Sequence, residues 1–362
     1  MSITKFLASA ALTLSLVQVV PGHAANEFAD PLDSPARMTG RLEQSPVFGL
    51  ARVDGSRLVG VGPRGHILVS VDAGATWKQV PSPVSTDLLA VSFPTAETGW
   101  VVGHDGVVLQ SSDGGASWKK VFDGRTLGSM MVAHYAKLAS VRNDPDLALA
   151  LKDAQAMASE GPTKPFLDVW FRNAREGWLI GQFNLILHTR DGGATWEPWM
   201  ERTENPERYS LHAMSGVGDD VYIAGELGLV LKLSPDGARF DRVETPYPGS
   251  WFGLLGQGSD VVTFGLRGNA WRSRDEGRTW SQLPTGVTSA INAGIGLSDG
   301  RVLLVSQRGQ ILISDVAGDD FAVVQRPGET IAGFDLLQVS DHEVFVATQQ
   351  GVERLLLESA AK

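Results

Sequence analysis

The chain has 362 residues, of which 43% are hydrophobic, and a formal net charge of −10. This composition is typical of a globular protein, and the acidic balance argues against nucleic acid or an anionic membrane as a bulk partner, although a local basic patch stays possible. The chain contains no cysteine, which excludes disulfide bonds and a lipidated cysteine.

The first 24 residues are predicted to be a secretory signal. Lys5 supplies the basic start, residues 6–20 are mostly apolar, and Gly22 and Ala24 are the small residues that precede a cleavage site. The alternative is a membrane anchor, but the apolar stretch is short for a spanning helix. We therefore expect a freely soluble periplasmic protein with no membrane insertion after cleavage.

An eight-residue motif, (S/T)-x-D-x-G-x-(T/S)-W, begins at Ser70 and recurs at Ser111, Thr189 and Ser273. Its aspartate can accept backbone N–H bonds within the turn, its glycine supplies a positive φ, and its indole suits the seam between two sheets. The residues predicted to have these structural roles are Asp72, Gly74, Trp77, Asp113, Gly115, Trp118, Asp191, Gly193, Trp196, Asp275, Gly277 and Trp280. Weaker copies of the motif surround Asp236 and Gly318.

A second pattern, a pair of small residues followed by an apolar run, recurs about every 40 residues and defines seven units. The pairs are Gly62/Gly65, Gly103/Gly106, Gly181/Asn184, Gly225/Gly228, Gly265/Gly268, Ser306/Gly309 and Thr348/Gly351. Within a unit, four short runs of alternating polarity indicate four strands. The pattern predicts an all-β fold, a seven-bladed β-propeller spanning residues 25–362.

Residues 124–165, between units two and three, interrupt the strand pattern. Two stripes with helical spacing predict a helical hairpin, with Asp144 as the N-cap of the second helix and Pro145 at its first position. The stripes are Leu127, Met130, Met131, His134, Leu138 and Val141, then Leu147, Leu151, Ala154 and Ala158. The hairpin is either a lid folded onto the propeller or a docking element, since methionine-rich faces adapt to partners.

The seventh unit has only three strands before the chain ends. Because closed rings leave no exposed sheet edge, residues 37–43 are predicted to supply its outer strand.

In a four-stranded blade, the turn between strands two and three lies on the same face as the connectors between blades, opposite the aspartate motifs. The insert replaces a connector and is expected on that face. The corresponding turns contain Arg64, Arg267 and Arg308, in units one, five and six. These arginines, with Met130, Met131 and His134, are the candidate partner-binding residues; the alternative is that the arginines are simply solvated charges.

The repeated octapeptide resembles the Asp-box (BNR) repeat. Its combination with G-W-x-V-G-x-x-G, as between Gly99 and Trp118, more narrowly resembles the Ycf48/HCF136 family of photosystem II stability and assembly factors and their relatives in non-photosynthetic bacteria. The resemblance covers residues 46–357 apart from the insert. It implies a non-catalytic scaffold, monomeric when free, that grips chains of a membrane protein complex through an arginine patch. The partner would be a photosystem II subunit in a photosynthetic host, where the protein would lie in the thylakoid lumen, and by analogy an RND-type transporter elsewhere.

The alternative function is that of a sialidase-like glycoside hydrolase or a carbohydrate-binding propeller, because Asp boxes also occur in sialidases. Such an enzyme needs an arginine triad, a Tyr–Glu nucleophile and an acid/base aspartate. The sequence has no (F/Y)-R-I-P segment, and Tyr209 with Glu207 is the nearest approach to the nucleophile pair. No histidine cluster has metal-ligand spacing and no nucleotide-binding motif is present, so we expect no catalytic residue, metal or cofactor.

Overall fold

The computed structural model describes residues 29–324 and 332–357; the predicted signal at 1–24 lies outside them. Seven antiparallel sheets follow one another along the described chain, six with four strands and the last with three. The strands of the first three sheets are β1–β4 (Gly49–Arg52, Leu58–Val61, Ile67–Ser70, Lys78–Val80), β5–β8 (Leu88–Ser92, Gly99–Gly103, Val108–Ser111, Lys119–Phe122) and β9–β12 (Phe166–Phe171, Gly177–Gly181, Ile186–Thr189, Glu197–Pro198).

The remaining sheets have the same meander order. Their strands are β13–β16 (Leu211–Val217, Asp220–Gly225, Val230–Leu233, Phe240–Val243), β17–β20 (Trp251–Gln257, Asp260–Gly265, Ala270–Ser273, Ser281–Gln282), β21–β24 (Ile291–Gly296, Val302–Ser306, Ile311–Ser314, Phe321–Val324) and β25–β27 (Gly333–Ser340, Glu343–Thr348, Gly351–Leu356).

The first strand of every sheet contacts the first strand of the next, and β25 contacts β1. The sheets are therefore seven blades closed into a ring, and the predicted propeller is confirmed.

The Asp-box indoles pack across the seams between blades, as predicted. Trp77 of blade 1 meets Phe345 of blade 7 edge to face at 6.3 Å, and Trp196 of blade 3 meets Trp100 of blade 2 at 5.4 Å. Trp118 belongs to the cluster that contains Val59 of blade 1. Each of these indoles covers the preceding blade, which couples neighbouring sheets through apolar contact.

The prediction for residues 37–43 is wrong. These residues form no strand, and blade 7 has three strands among the described residues. The side chain of Gln79 on β4 captures the segment instead, donating to the Arg37 carbonyl at 2.9 Å and accepting from the Thr39 N–H at 2.8 Å. A short 3-10 turn, Leu42–Gln44, then leads into blade 1. The ring closes where the Val47 N–H donates to the Thr348 carbonyl at 2.9 Å.

The predicted helical hairpin is present as α1 (Gly124–Val141) and α2 (Pro145–Glu160), with Asp144 as the N-cap of α2 and Pro145 in its first turn. Leu127, Met131 and Leu147 of the predicted stripes are buried, whereas Val141 is 75% exposed and does not continue the stripe. The α1 helix contacts the turn His104–Gly106, so the hairpin lies on the face of the strand two–three turns.

Candidate partner-binding face

The turns between strands two and three, which we call the turn face, share a tightly constrained backbone in blades 1 to 5. A Cβ at the first position of each pair (Gly62, Gly103, Gly181, Gly225, Gly265) would lie between 2.1 and 2.3 Å from a backbone carbonyl oxygen. No side chain fits at that distance, which explains the glycine. The second residue of each pair has a positive φ.

The middle residue of each turn differs from blade to blade and lies on the outside of the turn. In blades 1 to 5 it has a positive φ, although none of the five is glycine: they are Arg64, Asp105, Phe183, Leu227 and Arg267. Blades 6 and 7 use a different turn, in which Arg308 and Gln350 do not have a positive φ. The next blade fixes several of these turns, as when the Arg64 N–H donates to Asp87 Oδ1 at 2.8 Å.

The three predicted arginines lie on the turn face and are exposed. Arg267 and Arg308 belong to adjacent blades, while Arg64 lies two blades beyond Arg308, with blade 7 between them, and beside the Asp87 carboxylate. Within residues 29–324 and 332–357 no ion pair involves any of the three guanidinium groups. The structure thus places Arg267 and Arg308 on neighbouring blades, whereas Arg64 is separated from them by blade 7.

The hairpin residues predicted to contact a partner are mostly turned inward. Met131 is fully buried in the core cluster, and Met130 packs against the same cluster. His134 is half-buried, and burial lowers its pKa. Tyr135, which the sequence analysis missed, is fully buried and accepts a hydrogen bond from the Met200 N–H at 2.8 Å. Met131 therefore cannot contact a partner in this arrangement, because the apolar stripe covers the propeller.

An ionic cluster fixes the start of the hairpin. Asp123 caps α1 and is buried, and Arg125 lies 2.6 Å from both Asp123 Oδ2 and Asp33 Oδ2. Lys120 reaches Asp33 and Asp123 at 3.0 Å each. The guanidinium of Arg125 and the ammonium of Lys120 hold the pKa of the Asp33 carboxyl well below its usual range. The segment before blade 1 is thereby tied to α1 across the connector between blades 1 and 2.

The Asp boxes occupy the opposite face and have one geometry. In the first, Asp72 accepts from the Thr76 N–H at 2.8 Å and from the Thr76 hydroxyl at 2.6 Å, and Ser70 Oγ receives the Gly74 N–H at 2.8 Å. The same bonds surround Asp113, Asp191 and Asp275. Hydrogen bonds from the threonine hydroxyl and N–H lower the pKa of Asp72, Asp191 and Asp275 to about 2. These aspartates have the predicted structural role.

Two aspartates of a different kind lie on the innermost strands, and the sequence analysis missed them. Asp168 of blade 3 accepts the Met214 N–H of blade 4 at 2.8 Å, and Asp335 of blade 7 accepts the Leu50 N–H of blade 1 at 2.8 Å. Burial raises the pKa of Asp168 to about 6 and, with repulsion from Asp168, that of Asp335 to about 7. The equivalent residues of the other blades are glycine or alanine (Gly49, Ala90, Ala213, Gly253, Ala293), so aligning the seven units would have revealed the pair.

The residues considered for glycosidase chemistry have other partners. Glu207 pairs with Arg242 at 3.2 Å, and Tyr209 packs partly buried against the core cluster. Within the described residues, no group of three or more potential metal ligands comes together. None of their helices is both long and apolar enough to cross a bilayer.

A model of the family described as Photosynthesis system II assembly factor YCF48 matches residues 51–133 and 155–328, more than half of the chain. The chain belongs to this family. The gap between the two matched segments falls within the hairpin of α1 and α2. In this Ycf48-family chain, the hairpin is also the segment that interrupts the repeat pattern.

Individual relatives match over shorter stretches. The chain is 26% identical over 168 residues to the photosystem II assembly lipoprotein Ycf48 of Synechococcus sp., covering 46% of this chain and 47% of that protein. It is 30% identical over 154 residues to Ycf48 of Thermosynechococcus vestitus, covering 41% and 43%. It is 25% identical to the chloroplastic stability/assembly factor HCF136 of Arabidopsis thaliana, covering 40% and 42%. The match thus spans about half the length of these curated relatives.

Solved structures resemble the fold over most of its length. One described as YCF48 bound to D1 peptide superimposes with a TM-score of 0.64 at 16% identity, covering 90% of this chain and 97% of that one. The WD40 propeller domain of Doa1 gives 0.62 at 11% identity, covering 91% and 97%. At these identities the likeness concerns the fold alone.

Proposed function

We propose that this Ycf48-family chain is a non-catalytic factor that assists assembly or stability of a membrane protein complex by binding a segment of one of its subunits on the turn face. The observation that carries the proposal is the pair of exposed guanidinium groups of Arg267 and Arg308 on adjacent blades, neither of which forms an ion pair with a described residue, with Arg64 farther along the same face. A guanidinium recognises a carboxylate through two parallel hydrogen bonds, so this face suits an acidic segment.

Family membership supports the same function. The similar proteins carry the names of photosystem II assembly or stability factors, and one solved relative by fold is described with a bound D1 peptide. The partner we propose is therefore a subunit of a membrane complex. It is a photosystem II subunit if the source is photosynthetic, and otherwise a membrane transporter that is accessible from the periplasm. The predicted signal at 1–24 favours this location outside the cytoplasm.

Capture from host membranes tests the proposal. The chain with Arg64→Glu, Arg267→Glu and Arg308→Glu should lose the membrane subunit that the unaltered chain retains. The matched control reverses three exposed charges away from the turn face, Lys78→Glu, Arg175→Glu and Arg278→Glu, and should retain it. Equal capture by the two triple variants would remove the arginines from the proposal. Turnover of a fluorogenic sialoside that disappears on Tyr209→Phe would replace the proposal with the glycosidase alternative.

A further inference from the structure

Three large apolar side chains are exposed in successive turns of the turn face. Phe183 of blade 3 is 52% exposed, Leu227 of blade 4 is 55% exposed and Leu266 of blade 5 is 38% exposed. Together they form an arc, which we call the apolar arc, beside the hairpin. Exposed apolar groups on neighbouring turns of one face are candidates for a binding site, whereas single scattered ones are ordinary.

Two of the three residues of this arc have a backbone conformation that bulky apolar residues avoid. Phe183 has φ 54° and Leu227 has φ 50°, the left-handed region in which bulky side chains are strained. The next blade stabilises both turns, because the Phe183 N–H donates to Ser210 Oγ at 3.4 Å and the Leu227 N–H to Ser250 Oγ at 3.3 Å. Glycine or asparagine would meet the same backbone with less strain, so the apolar side chains are retained at a conformational cost.

Two surface cavities lie along the arc. A cavity of about 320 Å³ adjoins Leu227 and is lined also by Pro246, Tyr247 and Arg242. A second, of about 390 Å³, adjoins Arg267 and is lined by Gln282, Leu283 and Pro284. Concave sites with mixed apolar and polar walls accept individual side chains, which a flat bilayer surface does not supply.

Charge on the same face indicates the chemistry of the occupant. At one end the Lys164 ammonium lies 4.6 Å from the centre of the Phe183 ring, but Glu160 already pairs with it at 2.6 Å. At the other end the arc runs into Arg267 and then Arg308, whose guanidinium groups form no ion pair with a described residue. We infer that Phe183, Leu227 and Leu266 form an apolar subsite for an extended peptide segment whose apolar side chains lie on the arc and whose carboxylates pair with Arg267 and Arg308. This inference rests on the proposed function and adds a second specificity to the binding of an acidic segment.

A defined peptide tests the subsite. The probe is a labelled, acetylated peptide with leucines in one half and aspartates in the other, and the purified full chain binds it in fluorescence anisotropy measurements. Phe183→Ser with Leu227→Ser should weaken binding about tenfold, and the loss should persist at high salt because it is not electrostatic. Among single variants at position 227, Leu227→Ser should weaken binding, whereas Leu227→Phe should keep most of the affinity of the unaltered chain.

The matched control uses exposed apolar residues of the opposite face. Val71 is 67% exposed and Val316 is 58% exposed, both in Asp-box turns, and Val71→Ser with Val316→Ser should bind the probe as the unaltered chain does. A probe with serines in place of its leucines has no apolar side chain to contact the arc. It should therefore bind the unaltered chain and the Phe183→Ser/Leu227→Ser variant equally weakly.

The outcomes separate this inference from the proposed function. Unchanged probe affinity in Phe183→Ser/Leu227→Ser, with loss in Arg267→Glu/Arg308→Glu, would overturn the subsite and leave the proposed function standing. Failure of the unaltered chain to capture a membrane subunit would remove the proposed function, whereas leucine-dependent probe binding would still support the subsite. Arc-dependent binding to anionic vesicles, or arc-dependent self-association in sedimentation, in place of probe binding would overturn the inference in favour of a lipid surface or a second copy.

Discussion

The two faces of the propeller differ in how far their sequences are constrained by their backbones. On the Asp-box face, the backbone N–H groups of each turn are satisfied by particular side chains, and the four full boxes have the same bonds around Asp72, Asp113, Asp191 and Asp275. On the turn face, main-chain hydrogen bonds close the turn, and in blades 1 to 5 the constrained positions are the two flanking residues, which are glycine except for Asn184. The middle residue is therefore arginine in one blade and leucine in another.

This difference teaches where variation can become function. A turn whose own side chains complete its hydrogen bonds has no freedom to present anything else, and its repeats look alike. A turn closed by its main chain allows its middle side chain to differ from blade to blade. The turn face therefore holds a ring of independently variable contacts on a rigid support, which suits binding better than catalysis.

On the Asp-box face, the largest loss of stability is expected when a methyl group is added at Gly193. This residue has φ 85°, and a Cβ there would lie 2.1 Å from Cζ2 of Trp100, the fully buried indole of blade 2. Overpacking and the left-handed backbone together should reduce the free energy of unfolding by about 3 kcal/mol in Gly193→Ala. Urea unfolding followed by indole fluorescence measures the loss.

The control for this substitution is Gly237→Ala in the weaker box of blade 4. Gly237 has φ 68°, but a Cβ there meets nothing within 4 Å. Only the backbone cost of about 1 kcal/mol should appear. Equal losses in the two variants would mean that the box face is constrained by backbone conformation alone and not by the seam between blades.

A second, slightly smaller effect is expected at the seam between blades 5 and 6. The guanidinium of Arg272 is 1% exposed and donates to the carbonyls of Ala317 at 2.7 Å and Gly318 at 2.5 Å. Arg272→Met leaves the Gly318 carbonyl without its donor and the Ala317 carbonyl with only the longer bond from Arg274 at 3.5 Å, and it should cost about 2 kcal/mol in thermal or urea unfolding. The exposed pair of Arg278 with Glu276 is the comparison, and Arg278→Met should change stability by less than about 0.5 kcal/mol.

The sequence predicts the structural features that repeat from blade to blade, but it does not predict contacts that occur only once in the fold. The blades, the box networks and the limits of the hairpin follow from period and spacing, because each depends on bonds within a few residues of the motif. The path of residues 37–43 depends on one side chain, Gln79. The equivalent residue of blade 5, Gln282, donates instead to Asn269 Oδ1 at 3.2 Å, so the residue type alone does not predict the contact. The inward turn of Met131 depends on which helical face meets the propeller, and the stripe containing Met131 and Leu127 does not distinguish a buried face from a docking face.

Protonation distinguishes the inner-strand aspartates from those of the boxes. Burial raises the pKa of Asp335 to about 7, above its unfolded value, so the folded chain binds the extra proton and stability rises as pH falls from about 7 towards 4. The pKa of Asp191 is lowered to about 2, so its contribution is present above about pH 4 and is lost as pH falls towards 2.

Substitution by asparagine separates the two classes. Relative to the unaltered chain, Asp335→Asn should become more destabilising by about 2 kcal/mol between pH 7.5 and pH 4.5, because only the aspartate gains a proton on folding. The effect of Asp191→Asn should stay constant over that interval and diminish below pH 4. Urea unfolding at pH 7.5, at pH 4.5 and below pH 4 measures both. A constant effect of Asp335→Asn would show that its carboxyl is solvated in the ring.

The smallest effects are expected on the turn face, and their sign is the informative part. Leu227 has φ 50° and Arg308 does not have a positive φ, although both occupy the middle of the turn. Leu227→Gly relieves the strained backbone and should raise the free energy of unfolding by about 0.5 kcal/mol, whereas Arg308→Gly only increases the freedom of the unfolded chain and should lower it by a similar amount. Careful calorimetry on the two variants resolves opposite shifts of the melting temperature. If Leu227→Gly destabilises the chain instead, the leucine has a structural role, and the turn face is constrained by packing in the same way as the box face.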